Sequence, residues 1–243
     1  MPKTSVTTEE YKLEVMGIPV EVVRKNIKNL HLAVYPPDGR VRVAAPLHLN
    51  QDAVRLAIIS RIGWIRKKQD AFRNQARQSR REMVTGESHY FQGRRYRLKV
   101  VEINRPPTVK LSNNSTIELR VRPGSDRAKR EAVLYSWYRK KLKGQIPAVI
   151  NKWEPIIGVK IADWGVRKMK TRWGSCNRKA GRIWLNLELA KKSPSCLEYV
   201  VVHEMLHLVE RHHNDRFKEL ISDLLPSWQT TRDELNRSPI GLL

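Results

Sequence analysis

A predominantly apolar stretch, Leu197 to Val209, is interrupted by His203, Glu204 and His207. The run is too short to cross a bilayer and too apolar for a surface, so it belongs in a core. Its helical context stands independently of the three polar residues. Ser195 followed three positions later by Glu198 is a capping box, with Pro194 just before it, or at the first helical position if Ser193 is the cap. On such a helix His203 and His207 share one face a turn apart, and Glu204 is rotated about 100° from His203. Two imidazoles so placed reach one metal ion, and the carboxylate reaches a water there without being a ligand. Buried without such an ion, these groups would cost on the order of several kcal/mol.

Neutral imidazoles bind Zn²⁺ at about 2.0–2.1 Å and leave an open position where water acidifies toward a pKa of about 7. Glu204 would take that proton and return it to a leaving amine. A third protein ligand is required, and Glu210, His212, His213 and Asp215 are the candidates. Spacing favours His213, six residues beyond His207, with His212 and Glu210 as alternatives. The glycine that assists this turn in metzincins is replaced by Glu210, so the turn is expected later, around His212 or Asn214. Three imidazoles favour zinc over Mg²⁺ or Ca²⁺. Glu210 and Asp215 can orient an imidazole N–H or lie on a solvated face. His31, His48 and His89 lack metal-like spacing and read as ordinary surface or core residues.

The rest of the chain reads as α+β, with two regions, 1–125 and 126–243. Leu13 and Val15, Ile18 to Val22, Leu30 to Val34, and Val41 with Val43 alternate as strands of an antiparallel meander, with a Pro-Pro-Asp-Gly turn at residues 36–39. Pro19 lacks an N–H, which places its strand at a sheet edge. Asn50 caps a helix running to about Gln75. Strands follow at Tyr90 to Val101 and Ser115 to Val121, and the turn at Pro123 to Ser125 marks the boundary. Leu134, Tyr138, Leu142, Ile146, Val149 and Trp153 then form a helical stripe that Gly144 and Pro147 could divide. Trp164 to Lys170 and Arg182 to Leu187 read as strands around a loop, Thr171 to Gly181, and two helices close the chain. No internal repeat is visible.

Charge is the outlying property. The 243 residues carry a net +23, and five basic against eight acidic residues from Ser193 onward leave +26 on residues 1–192. Arg66 to Arg81, Arg94 to Lys99 and Arg120 to Lys143 are the densest basic stretches, suited to nonspecific DNA or RNA contacts or simply to solubility. No helix-turn-helix, zinc-finger or RNP signature is legible. Two cysteines, Cys176 and Cys196, read as reduced thiols, and with no secretory signal or membrane span the expected compartment is the cytoplasm.

Thr171-Arg172-Trp173-Gly174-Ser175-Cys176, Ile183-Trp184-Leu185-Asn186, Tyr199 through His207, and His213-Asn214-Asp215-Arg216-Phe217 together resemble the YgjP-like zinc metallopeptidases, relatives of the SprT and WLM groups. The match runs from about Glu21 to Asn236 and is specific in its C-terminal motifs. The resemblance implies a zincin-like, gluzincin-like or minigluzincin-like core, with an active-site helix and an edge strand holding extended peptide. It implies His203, His207 and His213 as zinc ligands and Glu204 as base. Arg182 to Leu187, including Ile183, Trp184, Leu185 and Asn186, would be the substrate edge.

Cys176 could cap the metal, though a small thiol beside a Gly-Ser turn more often packs. Arg172 or Tyr199 could face the developing oxyanion, and Tyr199 could equally pack at the start of the helix. The helix with Phe217, Leu220, Ile221 and Leu224 would brace the site, and the tail after Pro239 would be a frayed end or a plug. The preferred reading is a zinc peptidase acting on peptide or protein, recruited by its basic surface to nucleic-acid-associated protein. The alternatives are a nucleic-acid-binding protein with a structural or latent zinc site, and hydrolysis of a small amide.

Overall fold

A computed structural model describes residues 9–35, 38–74 and 81–237. The chain is α+β, as expected, and divides into two compact units, the first ending at Arg77 and the second beginning at Gln78. The expected Pro36–Pro37 turn, the basic tail at 75–80 and the C-terminal plug lie wholly or partly outside the described residues.

In the first unit, β1 (Glu9–Val15), β2 (Ile18–Lys25), β3 (His31–Tyr35) and β4 (Arg40–Pro46) form a sheet of order β1-β2-β4-β3. Leu13, Val15, Val20, Val22, Val41 and Val43 are buried with Val54 and Ile58 of α1 (Gln51–Ile59) and Ile65 of α2 (Ile62–Asn74). The sheet is mixed rather than the expected meander, because β4 enters between β2 and β3, parallel to the former and antiparallel to the latter. Pro19 therefore sits in an interior strand. The β2–β4 ladder begins at Val20, so the missing N–H of Pro19 leaves no gap in it. The helix after Asn50 is capped as expected, with Asn50 Oδ1 accepting from Ala53 N–H at 2.8 Å, but it ends at Ile59. Ser60 there turns its hydroxyl back to the Ala57 carbonyl, a local bond that competes with helix propagation.

The second unit opens with β5 (Ser88–Phe91), β6 (Arg94–Glu102), β7 (Thr108–Ser112) and β8 (Thr116–Val121), ordered β5-β6-β8-β7. This is the strand order of the first sheet, so the repeat that the residues do not show exists in topology. Each sheet starts with a two-residue turn at positive φ, Met16–Gly17 and Gln92–Gly93, as a tight hairpin requires. The strand β7, which the sequence reading missed, is short and largely exposed, with Val109 only half-buried and Leu111 exposed.

Asp126 caps α3 (Arg127–Ile157), and Leu134, Tyr138, Leu142, Ile146, Ile150 and Trp153 form its buried stripe. Ile150 takes the position expected for Val149, and the helix runs unbroken past Gly144 and Pro147. Leu98, Ile117, Leu119 and Val121 share one core with α3, so the expected boundary at 125 falls inside this unit.

A three-stranded sheet follows, β9 (Asp163–Arg167), β10 (Gly174–Asn177) and β11 (Arg182–Asn186), in the order β10-β11-β9. A 3-10 turn, Leu187–Lys191, leads to α4 (Pro194–Val209), α5 (Asp215–Leu224) and α6 (Trp228–Arg237). The β5–β6 turn docks on that 3-10 turn, Gln92 N–H bonding Ala190 O at 3.0 Å and Gly93 N–H bonding Lys191 O at 3.1 Å. No helix among the described residues is long and apolar enough to cross a membrane.

Candidate active site

The helix α4 is apolar around most of its circumference and runs through the core, burying Leu197, Val200, Val201, Val202, Met205 and Leu206. Each such side chain contributes about 1.5–3 kcal/mol, enough together to outweigh the polar groups carried with them. Ser193 is its cap and Pro194 its first residue. The capping box does not form. Ser193 Oγ bonds the Ser195 hydroxyl and donates to Glu234, and Glu198 Oε1 instead accepts from Lys152 Nζ at 2.6 Å and Trp153 Nε1 at 2.9 Å.

His203, His207 and His213 come together with one nitrogen of each within 4.8 Å of the others, the only such group of three among the described residues. Nε2 of His203 and Nε2 of His213 lie 2.9 Å apart. Two imidazoles on one tetrahedral ion would stand about 3.4 Å apart, so a small outward movement admits a metal. His207 Nδ1 lies 3.1 Å from the Glu210 carbonyl, an acceptor that fixes the proton on Nδ1 and frees Nε2 for a ligand. Burial, then the neighbouring His207 and His213, push His203 down to about 3, and burial lowers His213. Both imidazoles are thus held in the neutral, ligating form. Phe217 of α5 packs beneath all three, its ring centroid 4.8–5.0 Å from each.

The third histidine arrives by a different turn from the one expected. The chain leaves α4 at Glu210, whose backbone is extended at φ −121°, so no glycine is needed. The Glu210 carboxylate accepts the His212 N–H at 3.1 Å, and neither residue belongs to the cluster. Asn214 caps α5 through the Phe217 N–H.

Glu204 is 6% exposed, and burial pushes its carboxyl up to about 8 against the pull of the Arg172 guanidinium. Its position depends on Gly174. A Cβ there would lie 2.5 Å from Glu204 Oε1 and 2.7 Å from its Cγ.

A cleft of about 1090 Å³ opens over these groups, lined along one side by residues 171–179 and along the other by Tyr199, His203, Glu204, His207 and Arg211. Arg172 and Tyr199 both line this cleft. Tyr199 is 7% exposed, its ring stacked on Trp228 and 5.7 Å from that of His203, and burial raises its phenol to about 12. Cys176 also lines the cleft, its thiol raised to about 11 by burial and the charge of Glu204.

The expected substrate edge is corrected. Arg182–Asn186 is the central strand, paired with β10 on one side and β9 on the other, so it has no free edge. Ile183 and Leu185 are fully buried, Trp184 packs over Gly165, and none of the three lines the cleft. The outer strands are β9 and β10, and of these two it is β10, within what the sequence presented as a loop, that lines the cleft. Four small polar residues, Gly-Ser-Cys-Asn, carry no strand signal of their own.

Asn186 is a clamp rather than a substrate contact. Fully buried, its Oδ1 accepts from Met169 and Glu188 N–H, and its Nδ2 donates to the carbonyls of Met169 at 3.0 Å and Arg172 at 2.8 Å. It thereby ties down the loop that leads into β10. Asn186→Leu is expected to cost about 2–4 kcal/mol, since it orphans these backbone groups. An unchanged urea midpoint for this variant would remove that role.

Fold and site together define a metal-dependent peptidase. A family model, the metallopeptidase domain of the YgjP-like proteins, matches residues 28–238, and the chain belongs to that family. Among solved structures, the metallopeptidase zymogen of Pyrococcus abyssi abylysin is similar at 18% identity, over 37% of this chain and 90% of that one, with a TM-score of 0.35. No curated protein matches the sequence.

Proposed function

We propose that this chain is a zinc peptidase in which His203, His207 and His213 hold the ion and Glu204 is the general base. The observation that carries the reading is the convergence of three imidazoles beside one buried carboxylate at the floor of a cleft. When bound, the ion supplies Lewis acidity and lowers the pKa of a cleft water toward about 7. Glu204, in the ionised form that the Arg172 guanidinium and a bound cation would favour against its burial, accepts the proton of that water and delivers it to the leaving amine nitrogen. The open edge of β10 offers main-chain N–H and C=O groups to an extended peptide, with little demand on its sequence. Arg172, exposed at the cleft and close enough to act on Glu204, supplies positive charge toward the oxyanion.

Recruitment to nucleic-acid-associated protein is the second element of the proposal. It is supported by the exposed Arg66, Lys67, Lys68 and Arg73 on α2 of the first unit.

His213→Ala tests the ligand set. It is expected to weaken zinc binding by more than about 100-fold, beyond what loss of an outer hydrogen bond does. Elemental analysis of the purified variant and wild type reads this directly, and equal zinc in both would overturn the assignment.

A further inference from the structure

We infer that the cleft selects acidic peptides, recognising substrate carboxylates on both sides of the scissile bond through Arg172, Arg178, Lys179, Arg211 and Arg232. This rests on the peptidase reading and extends it to a substrate class. Five residues lining the cleft carry a fixed positive charge, whereas Glu204, buried at its floor, is the one carboxylate among them. All five cations are exposed. Among the described residues none of Arg172, Arg178, Lys179 and Arg211 forms an ion pair, while Arg232 pairs at 3.5 Å with Asp233 and stacks on Trp228.

General basicity does not account for this. The residues from Ser193 onward, which build one wall, are net acidic, five basic against eight acidic, yet Arg211 and Arg232 of that segment face the cleft. The cations also fall into two groups. Gly174 abuts Glu204, and Arg178 donates to the carbonyls of Leu208 and Val209, so β10 runs in the direction of α4. Arg178, Lys179 and Arg211 therefore gather where α4 ends. Arg172, preceding β10, and Arg232, whose charge acts on Tyr199, flank the other end. An extended peptide advances about 3.3 Å per residue, so side chains within two or three positions of the scissile bond reach one group or the other. Phosphates would meet the same cations, but only a peptide main chain also matches the hydrogen-bonding edge of β10.

The test uses dye-labelled peptides with one common centre flanked by Glu, Gln or Lys. Binding to full-length Glu204→Gln protein is read by anisotropy at about 50 mM and about 300 mM salt. Exposed charge pairs are individually weak but additive here, so the Glu-flanked peptide is expected to bind about tenfold tighter than the Gln-flanked one, with the gap closing in high salt. Adding Lys179→Glu and Arg211→Glu is expected to remove that preference. Equal binding of the three peptides, or a preference surviving the charge reversal, would overturn the inference. So would a single-stranded oligonucleotide that displaces the acidic peptide and itself binds more than tenfold tighter through the same two cations. Wild-type zinc protein that cleaves all three with one kcat/KM would sink the selectivity and leave the peptidase intact. Zinc protein that cleaves none would sink the peptidase reading, and the binding order would still decide the preference.

Discussion

Glu204→Gln is expected to lower kcat for peptide hydrolysis by about 10²–10⁴, the range for loss of a positioned general base, while zinc content stays at the wild-type level. The side chain is on the helix face beside the imidazoles and is not among the three converging nitrogens, so its amide replacement leaves the ligand set in place. Stability should hold or rise. The carboxylate is 6% exposed, burial is the largest influence on it, and a neutral amide of the same shape removes that burden. The decisive comparison is single-turnover cleavage against elemental analysis of the same sample. Zinc lost along with activity would show that Glu204 holds the site together instead of moving a proton. Wild-type kcat would remove it from the chemistry altogether.

Gly174→Ala is expected to reduce kcat by about 10²-fold, the scale on which a displacement of about 1 Å acts. The added Cβ would stand 2.5 Å from Oε1, 2.7 Å from Cγ and 2.9 Å from Cδ of Glu204, so the carboxylate must swing away. Gly165→Ala in β9 is the control. Its Cβ would meet the Trp184 ring at 2.4 Å, a clash in the same sheet that does not involve Glu204. That variant should lose about 1–3 kcal/mol of stability and keep its kcat once folded. If both alanines lose activity in proportion to stability alone, Gly174 has no special hold on the base.

These two glycines show where the sequence stops being readable. Gly174 and Gly165 look alike in the chain, and only the packing of β10 against α4 and of Trp184 over β9 tells them apart. The same holds for the strands. Arg182–Asn186 carries the apolar residues and was the natural candidate for a substrate edge, yet those very residues bury it at the centre of its sheet. The polar β10 takes the edge because a cleft-lining strand has no apolar face to advertise. Parallel pairing of β2 with β4, and of β6 with β8, was likewise invisible, since alternation records which face is buried and not which neighbour pairs.

What the sequence by itself determined is local and periodic: the buried helix with His203, Glu204 and His207 at its fixed offsets, the spacing to His213, the cap at Asn50, and the long stripe of α3. Helical geometry links those residues through a few backbone dihedrals, so the pattern is legible without the fold. The tertiary structure alone decided which outer strand lines the cleft, that Asn186 clamps a loop, that Phe217 underlies three imidazoles, and that cations from distant segments share one cleft. Those relations join residues far apart in the chain, and they exist only once burial of a common core has chosen among the many pairings that local propensity permits.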